Sequence, residues 1–205
     1  MVVIIDYGVG NLASIKNMLK RIGVDAIISS DEKELLAANK IILPGVGAFD
    51  TCALQLQQSG LTTTLSKKVL DDKTPVLGVC VGAQLLLEGS EEGSLSGLGW
   101  IKGRNVKFNY SKMPKGYKIP HMSWTDVTPA KSSRLLEGLE NDARFYFVHS
   151  YHAQLANPED AVLTATYGYP FVAGVERSNI LGVQFHPEKS HHFGMKLLNN
   201  FVKNY

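Results

Sequence analysis

The chain has 205 residues, 44% of which are hydrophobic, and a formal net charge of +2 at pH 7. This size suits one domain with a sizeable buried core, and we expect a single domain over residues 1–205. Acidic and basic residues are interspersed, which predicts no nucleic-acid partner. No apolar run approaches the roughly 20 residues that cross a bilayer, and the N-terminus lacks the pattern of a signal peptide. We therefore expect no membrane partner and a cytoplasmic location, where the two cysteines stay unpaired.

The first half of the chain alternates short apolar runs with segments of helical periodicity. Strands are predicted at Val2–Ile5, Ala26–Ile28, Lys40–Leu43 and Val76–Val79, and helices at Leu12–Ile22, Asp31–Ala38, Asp50–Gln58 and Leu61–Leu70. Such alternation is typical of a parallel sheet with helices on both faces.

The second half is richer in β-type runs. They lie at Phe145–His149, Ala161–Tyr167, Phe171–Glu176 and Ile180–Phe185, and predict hairpins that extend the sheet. A last helix, roughly Phe193–Val202, has an apolar face that we expect to pack on the sheet. The stretch between Gly93 and Thr125 contains basic but no acidic residues. We interpret it as a solvated hairpin, with a docking surface for an acidic partner or a phosphate as the alternative.

One cysteine stands where a strand is predicted to turn into a helix. The apolar run Val76–Val79 ends at Cys80, which has Gly78 and Gly82 two positions to either side. Small residues at both positions are typical of a nucleophile elbow, the strained turn that exposes a catalytic side chain. A following helix directs its positive end at the sulfur and favours the thiolate. The alternative is an inert, buried cysteine.

A histidine and a glutamate near the C-terminus suit the role of a base and its orienting group. His186 and Glu188 are two residues apart and so share a face in extended chain, and Pro187 stiffens the link. A carboxylate placed in this way fixes the imidazole tautomer and stabilises its protonated form. Metal binding is the competing interpretation, since His191 and His192 follow. No histidine or cysteine cluster has zinc-like spacing, and we expect no metal.

Two glycine-rich loops follow predicted strands. The Pro44–Gly47 loop has the composition of an oxyanion hole, in which glycines let backbone N–H groups approach a developing negative charge. Taken by itself, the segment is equally well interpreted as a plain loop. The segment Gly8–Ala13 and Asp31 formally match a dinucleotide fingerprint, but such a loop is common in α/β sheets. We interpret it as a tight turn and expect no cofactor. Since the carboxyl ends of the strands share one edge, we expect these loops to meet the Cys80 turn.

These segments are similar to those of a known family. Gly78–Gln84 and Gln184–Glu188 resemble the signature of class I, triad-type glutamine amidotransferases. Further matches at Asp6–Leu12, Pro44–Gly47, Pro120–Trp124, Phe145–Tyr151 and His186–Ser190 resemble the glutaminase subunits of imidazole glycerol phosphate synthases over essentially the whole chain. The resemblance implies a flavodoxin-like α/β fold with an open, mixed, largely parallel sheet flanked by helices.

The resemblance also implies the chemistry of the site. Cys80 is expected to attack the side-chain amide of L-glutamine and form a thioester, while His186, oriented by Glu188, activates the water that releases glutamate. Oxyanion contacts are implied at the backbone of Val46, Gly47 and Val81, and substrate contacts at Gln84, Ser150 and Tyr151.

A separate ammonia acceptor is implied as well. In the family this is a (β/α)8 barrel cyclase, which uses the ammonia to make imidazole glycerol phosphate and aminoimidazole carboxamide ribotide in histidine biosynthesis. The residues implied at the interface and ammonia gate are Asn11, Trp124, Tyr146 and Lys189. Taken without the resemblance, the same residues are interpreted as a helix cap, two core aromatics and a surface lysine.

The chain departs from the family pattern at four positions. Where that pattern reads Cys-Leu-Gly-Met-Gln and Pro-His-Met-Gly-Trp-Asn, this chain has Val81 and Ala83 in the first motif and Ser123 and Thr125 in the second. The first two changes keep the backbone N–H groups, whereas the other two restrict the backbone and remove an amide. The second pair leaves open a paralogous subunit that supplies ammonia to a surface-polysaccharide sugar amidotransferase. A cysteine peptidase or amidase and a non-catalytic regulatory subunit are further alternatives.

Overall fold

A computed structural model describes all 205 residues. The strands are β1 (Val2–Ile5), β2 (Ala26–Ser29), β3 (Lys40–Gly45), β4 (Val76–Cys80), β5 (Gly103–Lys107), β6 (His121–Pro129), β7 (Arg144–His149), β8 (Tyr151–Leu155), β9 (Ala161–Tyr167), β10 (Tyr169–Arg177) and β11 (Ile180–Val183). The helices are α1 (Leu12–Arg21), α2 (Glu32–Leu36), α3 (Phe49–Gln58), α4 (Thr62–Ser66), α5 (Val81–Gln84) and α6 (His191–Asn204). None of these helices combines the length and apolar character needed to cross a membrane.

The strands form one open mixed sheet, as expected. Its order is β2-β1-β3-β4-β11-β10-β9-β6-β7, with β8 paired to β10 and β5 to β8. The pairings among β2, β1, β3, β4 and β11 are parallel, and the remaining pairings are antiparallel. The antiparallel part is therefore larger than the sequence pattern indicates.

The parallel strands are buried on both faces. Every residue of β1, β4 and β11 is buried, as expected for strands covered by helices on two sides. The last helix extends beyond its predicted range at both ends. Its side chains Leu197, Leu198 and Phe201 are fully buried, so the expected packing of this helix is confirmed.

Three strands, β5, β6 and β8, have no clear apolar pattern and lie outside the predicted runs. The predicted solvated hairpin between Gly93 and Thr125 is wrong, because β5 pairs with the distant strand β8 rather than with a neighbouring segment. In β6, residue exposure alternates: His121 is buried, Met122 and Trp124 are exposed, and Ser123 is half-buried. The inner positions are polar, which hides the period-2 signal.

The three loops at the carboxyl edge of the sheet meet, as expected. The hydroxyl of Tyr7 donates to the carbonyl of Pro44 over 2.5 Å. Gly45 lies so close to α5 that a Cβ on it would stand 2.5 Å from the backbone nitrogen of Gly82. The Cys80 turn and the Pro44–Gly47 loop are thus packed backbone to backbone, which only glycine allows.

Candidate active site

Cys80 has a strained backbone at the turn from β4 into α5. Its φ is 56° and its ψ is −115°, a conformation that side-chain-bearing residues rarely adopt. A Cβ at Gly82 would lie 1.9 Å from the carbonyl oxygen of Leu43, and one at Gly78 would lie 2.7 Å from the Cα of Ala83. Both flanking glycines are therefore required sterically, as the sequence pattern predicts for a nucleophile elbow.

The helix after the elbow is too short to direct the expected positive dipole at the sulfur. α5 has only four residues, from Val81 to Gln84, and so aligns few peptide dipoles. The positive charge near the sulfur comes instead from His186, which lines the same cavity as Cys80 and whose pKa the Cys80 side chain raises.

His186 and Glu188 form a nearly inaccessible pair. The Nδ1 of His186 donates to the Oε1 of Glu188 over 2.8 Å, and their side chains are 3% and 1% exposed. Burial lowers the pKa of His186, but hydrogen bonds with Cys80 and Glu188, together with the charges of both groups, outweigh burial and raise the pKa to about 9. At neutral pH the ring is therefore an imidazolium, and a cation of this kind favours the thiolate form of a neighbouring cysteine.

The reactive groups open into a cavity of about 320 Å³. Cys80, His186 and Lys189 line it, and so do all six residues expected around the oxyanion and substrate, namely Val46, Gly47, Val81, Gln84, Ser150 and Tyr151. Four further lining residues lie outside the sequence-based set: Glu92, Pro120, Val148 and His149. They come from loops and from β7, and no local pattern links them to the nucleophile.

The Val46–Gly47 peptide has its N–H groups available for a ligand. The amides of Val46 and Gly47 donate to no acceptor within the chain, and Gly47 has a φ of 89°. The Cys52 thiol donates to the carbonyl of Val46 over 3.3 Å. Because C=O and N–H point in opposite directions in a trans peptide, this contact fixes the direction of the Gly47 amide.

Gln84 takes part in a short chain of side-chain amides. Its Nε2 donates to the Oε1 of Gln184 over 3.0 Å, and the Nε2 of Gln184 lies 3.9 Å from the Sγ of Cys80. Gln184 was missed in the sequence, although it is two residues before His186 and so shares its face. This two-residue spacing from His186 is the sequence signal that identifies Gln184 as a site residue.

Of the four residues expected at the interface, Lys189 lines the cavity, and Tyr146 and Trp124 lie next to it. The ring centroids of Trp124 and Tyr146 are 6.3 Å apart, and the Nζ of Lys189 lies 5.8 Å from the Tyr146 centroid. Trp124 is 38% exposed, so it is not a core aromatic. Asn11 occupies the N-cap position of α1, but its side chain makes no capping hydrogen bond. α1 packs against the turn that contains Lys189.

The residues that suggest a dinucleotide or metal site have other structural roles. Gly8 and Gly10 have φ values of 90° and 121° in a tight turn, and Asp31 caps α2 by accepting from the Lys33 amide over 2.7 Å. His191 stacks on Trp124, with ring centroids 5.4 Å apart. No group of three or more histidine, cysteine, aspartate or glutamate side chains is placed to hold a metal ion.

Comparison with known proteins defines the class. The family described as glutamine amidotransferase class-I matches residues 3–205. A crystal structure of a glutamine amidotransferase has the same fold, with a TM-score of 0.73 at 20% identity, covering 99% of this chain and 98% of that one. The chain therefore belongs to the class I glutamine amidotransferases, and it is an enzyme of that type.

Closer relatives are curated subunits of one synthase. The imidazole glycerol phosphate synthase subunit HisH 2 of Methanococcus maripaludis is 49% identical over 203 residues, covering 99% of this chain and 99% of the relative. The subunit HisH of Bdellovibrio bacteriovorus is 49% identical over 201 residues, covering 98% of both chains. The chain is similar to these subunits over its whole length.

Proposed function

We propose that this chain is the glutaminase subunit of an imidazole glycerol phosphate synthase, which releases ammonia from L-glutamine for histidine biosynthesis. The observation that carries the proposal is that Cys80 and His186 line one small cavity, with His186 held by Glu188, in a chain 49% identical to such subunits. The cavity volume of about 320 Å³ is at the low end for small-molecule sites, which favours a single amino acid over a peptide.

In the first half of the reaction, Cys80 acts as a thiolate and His186 as an imidazolium. The Cys80 thiolate attacks the amide carbon of glutamine, and the oxygen that becomes negative receives hydrogen bonds from backbone amides of the Val46–Gly47 loop and of Val81. The His186 imidazolium then gives its Nε2 proton to the departing nitrogen. The carbon–nitrogen bond breaks, ammonia leaves, and a thioester to Cys80 remains.

The second half reverses the proton flow. The now neutral His186 takes a proton from water, and the hydroxide attacks the thioester carbon. The sulfur leaves as thiolate and the imidazolium is restored. The new side-chain carboxylic acid loses its proton to solvent, and the product leaves as glutamate. Glu188 keeps the Nδ1 proton in place throughout, so that Nε2 is always the exchanging nitrogen. We assign Gln84 and the Ser150–Tyr151 segment to holding the glutamine backbone and amide.

Ammonia must reach its acceptor before water protonates it, because ammonium is not a nucleophile. We propose a heterodimer with a (β/α)8 barrel cyclase that covers the mouth of the cavity. Asn11, Trp124, Tyr146 and Lys189 are the residues we assign to that contact. We also propose that the reaction occurs in the cytoplasm, since a reducing compartment keeps the two free cysteines reduced.

A paralogous subunit that supplies a sugar amidotransferase is the second candidate. The names of the relatives from Methanococcus maripaludis and Pseudomonas aeruginosa carry the number 2, and β6 carries Ser123 and Thr125 in the segment expected to contact the partner.

Separate mixtures with the two partners decide between these candidates. The purified chain is combined with the barrel cyclase and, in parallel, with the sugar amidotransferase of the same cell, and glutamate is measured with and without each acceptor substrate. We expect the cyclase and its ribotide substrate to raise the rate. Stimulation by the sugar amidotransferase alone favours the second candidate, and hydrolysis of peptides but not glutamine contradicts both.

A further inference from the structure

A chain of buried hydrogen bonds connects β6 to the cavity wall and has no part in the reaction described above. The Nδ1 of His121 lies 2.9 Å from the Nε2 of His149, and the Nδ1 of His149 lies 2.8 Å from the carbonyl oxygen of Tyr151. At the other end, the Nε2 of His121 lies 2.8 Å from the Thr125 hydroxyl and 3.0 Å from the Ser123 hydroxyl. The two hydroxyls are 3.0 Å apart.

The carbonyl of Tyr151, the last acceptor, fixes which group donates in every hydrogen bond of this series. A carbonyl oxygen only accepts, so the Nδ1 of His149 carries a proton, and in the neutral ring its Nε2 accepts. The Nδ1 of His121 must therefore be the donor to His149, which leaves the Nε2 of His121 as an acceptor. Only a hydroxyl can supply that proton, and Thr125 is the nearer of the two.

Both rings are held neutral and immobile. His121 is fully buried and His149 is 6% exposed. Burial is the main reason that the pKa falls to about 4 for His121 and about 3 for His149. The His121 ring is stacked between Phe147 and Tyr167, with centroids 5.0 Å and 4.0 Å away. A ring clamped in this way keeps its hydrogen bonds in one geometry.

The last acceptor in this series of hydrogen bonds, the carbonyl of Tyr151, belongs to the wall of the substrate cavity. Tyr151 and its neighbour Ser150 line the cavity, and the same carbonyl oxygen also lies 3.4 Å from the Nε2 of Gln84. A carbonyl that accepts from both His149 and Gln84 uses both of its lone pairs inside the protein. The position of this wall thus depends on the ring of His149.

We propose that Ser123, Thr125, His121 and His149 form a positioning relay that fixes the Ser150–Tyr151 wall of the glutamine cavity. The relay deepens the proposed function and rests on it, because its effect is on glutamine binding. Ser123 and Thr125 differ from the family pattern, and their hydroxyls brace the segment where that pattern has a glycine and an asparagine amide. None of the four residues exchanges a proton with the substrate.

The two hydroxyls substitute for each other, and this predicts a non-additive result. In Thr125→Val the Ser123 hydroxyl still reaches His121, and in Ser123→Ala the Thr125 hydroxyl does, so each change raises the KM for glutamine less than about twofold. The double variant Ser123→Ala/Thr125→Val leaves the buried Nε2 without a donor and raises the KM by about tenfold. Its kcat changes less than the KM, because the reacting groups are untouched.

Steady-state glutaminase kinetics with the partner subunit present measure these effects. Ser123→Ala/Thr125→Ser restores one hydroxyl and should return the KM to near its parent value. Thr128→Val on the same strand is the control, because the Thr128 side chain is exposed and makes no hydrogen bond. An unchanged KM in the double variant, or a loss equal to the product of the two single losses, overturns the relay.

A second measurement does not depend on activity. Nitrogen-15 NMR of the histidine rings at pH 7 should show His121 and His149 neutral with the proton on Nδ1 in both. A proton on the Nε2 of either ring, or a charged ring, contradicts the relay even if the enzyme is active. Loss of glutamine hydrolysis by the parent complex, with both tautomers as expected, instead contradicts the proposed function alone.

Discussion

The charge of His186 depends on the two groups that contact its ring. With the pKa raised to about 9, the imidazolium persists well above neutral pH and is lost as the pH rises through 9. We therefore expect kcat/KM for glutamine to fall above about pH 9, because a neutral ring has no proton for the departing ammonia. The related contribution to folding stability is complete below the ordinary pKa of about 6.5 and is also lost as the pH rises through about 9.

A pH profile of the Glu188→Gln variant separates this effect from titration of the substrate. Removing the carboxylate charge lowers the pKa of His186, so the alkaline fall in kcat/KM should begin at lower pH than in the parent. The amino group of glutamine titrates identically in both experiments. Coincident alkaline limbs in the two profiles would show that His186 does not control this step.

We expect Cys52 to affect the reaction through its hydrogen bond to the Val46–Gly47 loop, the proposed oxyanion hole. Burial is the main cause of its raised pKa, so it remains a thiol that donates to the Val46 carbonyl. Cys52→Ala frees that peptide to rotate, and we expect kcat to fall by about tenfold with little change in KM, because oxyanion contacts form in the transition state. Cys52→Ser keeps a donor and should stay within about threefold of the parent. Equal activity of the alanine and parent enzymes contradicts this role.

At the scale of the element, the elbow between β4 and α5 is fixed by backbone contacts. Gly82→Ala would place a Cβ 1.9 Å from the Leu43 carbonyl oxygen, and relieving this contact requires a shift of the backbone rather than of a flexible side chain. We expect the free energy of unfolding to fall by about 3 kcal/mol or more, with loss of glutaminase activity. Gly89→Ala is the matched control, because its Cβ would meet nothing closer than 3.7 Å. Urea denaturation of both variants measures the difference, and similar midpoints would refute the steric argument.

The elements that the sequence predicts are those with a periodic apolar pattern. β1 and α1 were located to within a residue, because their buried faces are apolar throughout. β5, β6 and β8 were missed, since their pairing is long-range and their inner faces carry polar residues such as Asn105 and His121. These segments are strands because they pair with distant parts of the chain, and a local sequence pattern contains no information about such pairing.

The residues of the candidate site also fall into two groups, those that local motifs predict and those that only the tertiary structure brings in. Cys80, Glu188 and Gly47 lie in motifs with a local steric or spacing requirement, and the sequence is sufficient to find them. Glu92 and His149 enter the cavity only because distant segments fold together. The likeness to a family supplied Trp124 and the other expected interface positions, for which the residues alone indicated ordinary packing.

At the scale of the whole molecule, the exposed apolar surface of β6 is the expected docking site. Met122 is 59% exposed and Trp124 is 38% exposed, both beside the mouth of the cavity. We expect Trp124→Ala to weaken binding of the cyclase by tenfold or more, as measured by calorimetry. Leu36→Ala is the control, because Leu36 is 46% exposed on α2, which packs against β1 and α4 at the other end of the strand order from β6. Equal affinities for the two variants would place the docking surface elsewhere.

A complex that contains the Cys80→Ala variant shows whether Cys80 releases the ammonia that the partner consumes. Synthesis of the cyclase product is measured once with glutamine and once with added ammonium salt as the nitrogen source. We expect glutamine-dependent synthesis to be abolished, because no thiolate remains to form the thioester, while ammonia-dependent synthesis stays near the parent rate. Equal loss of both activities, or survival of the glutamine-dependent one, would contradict it.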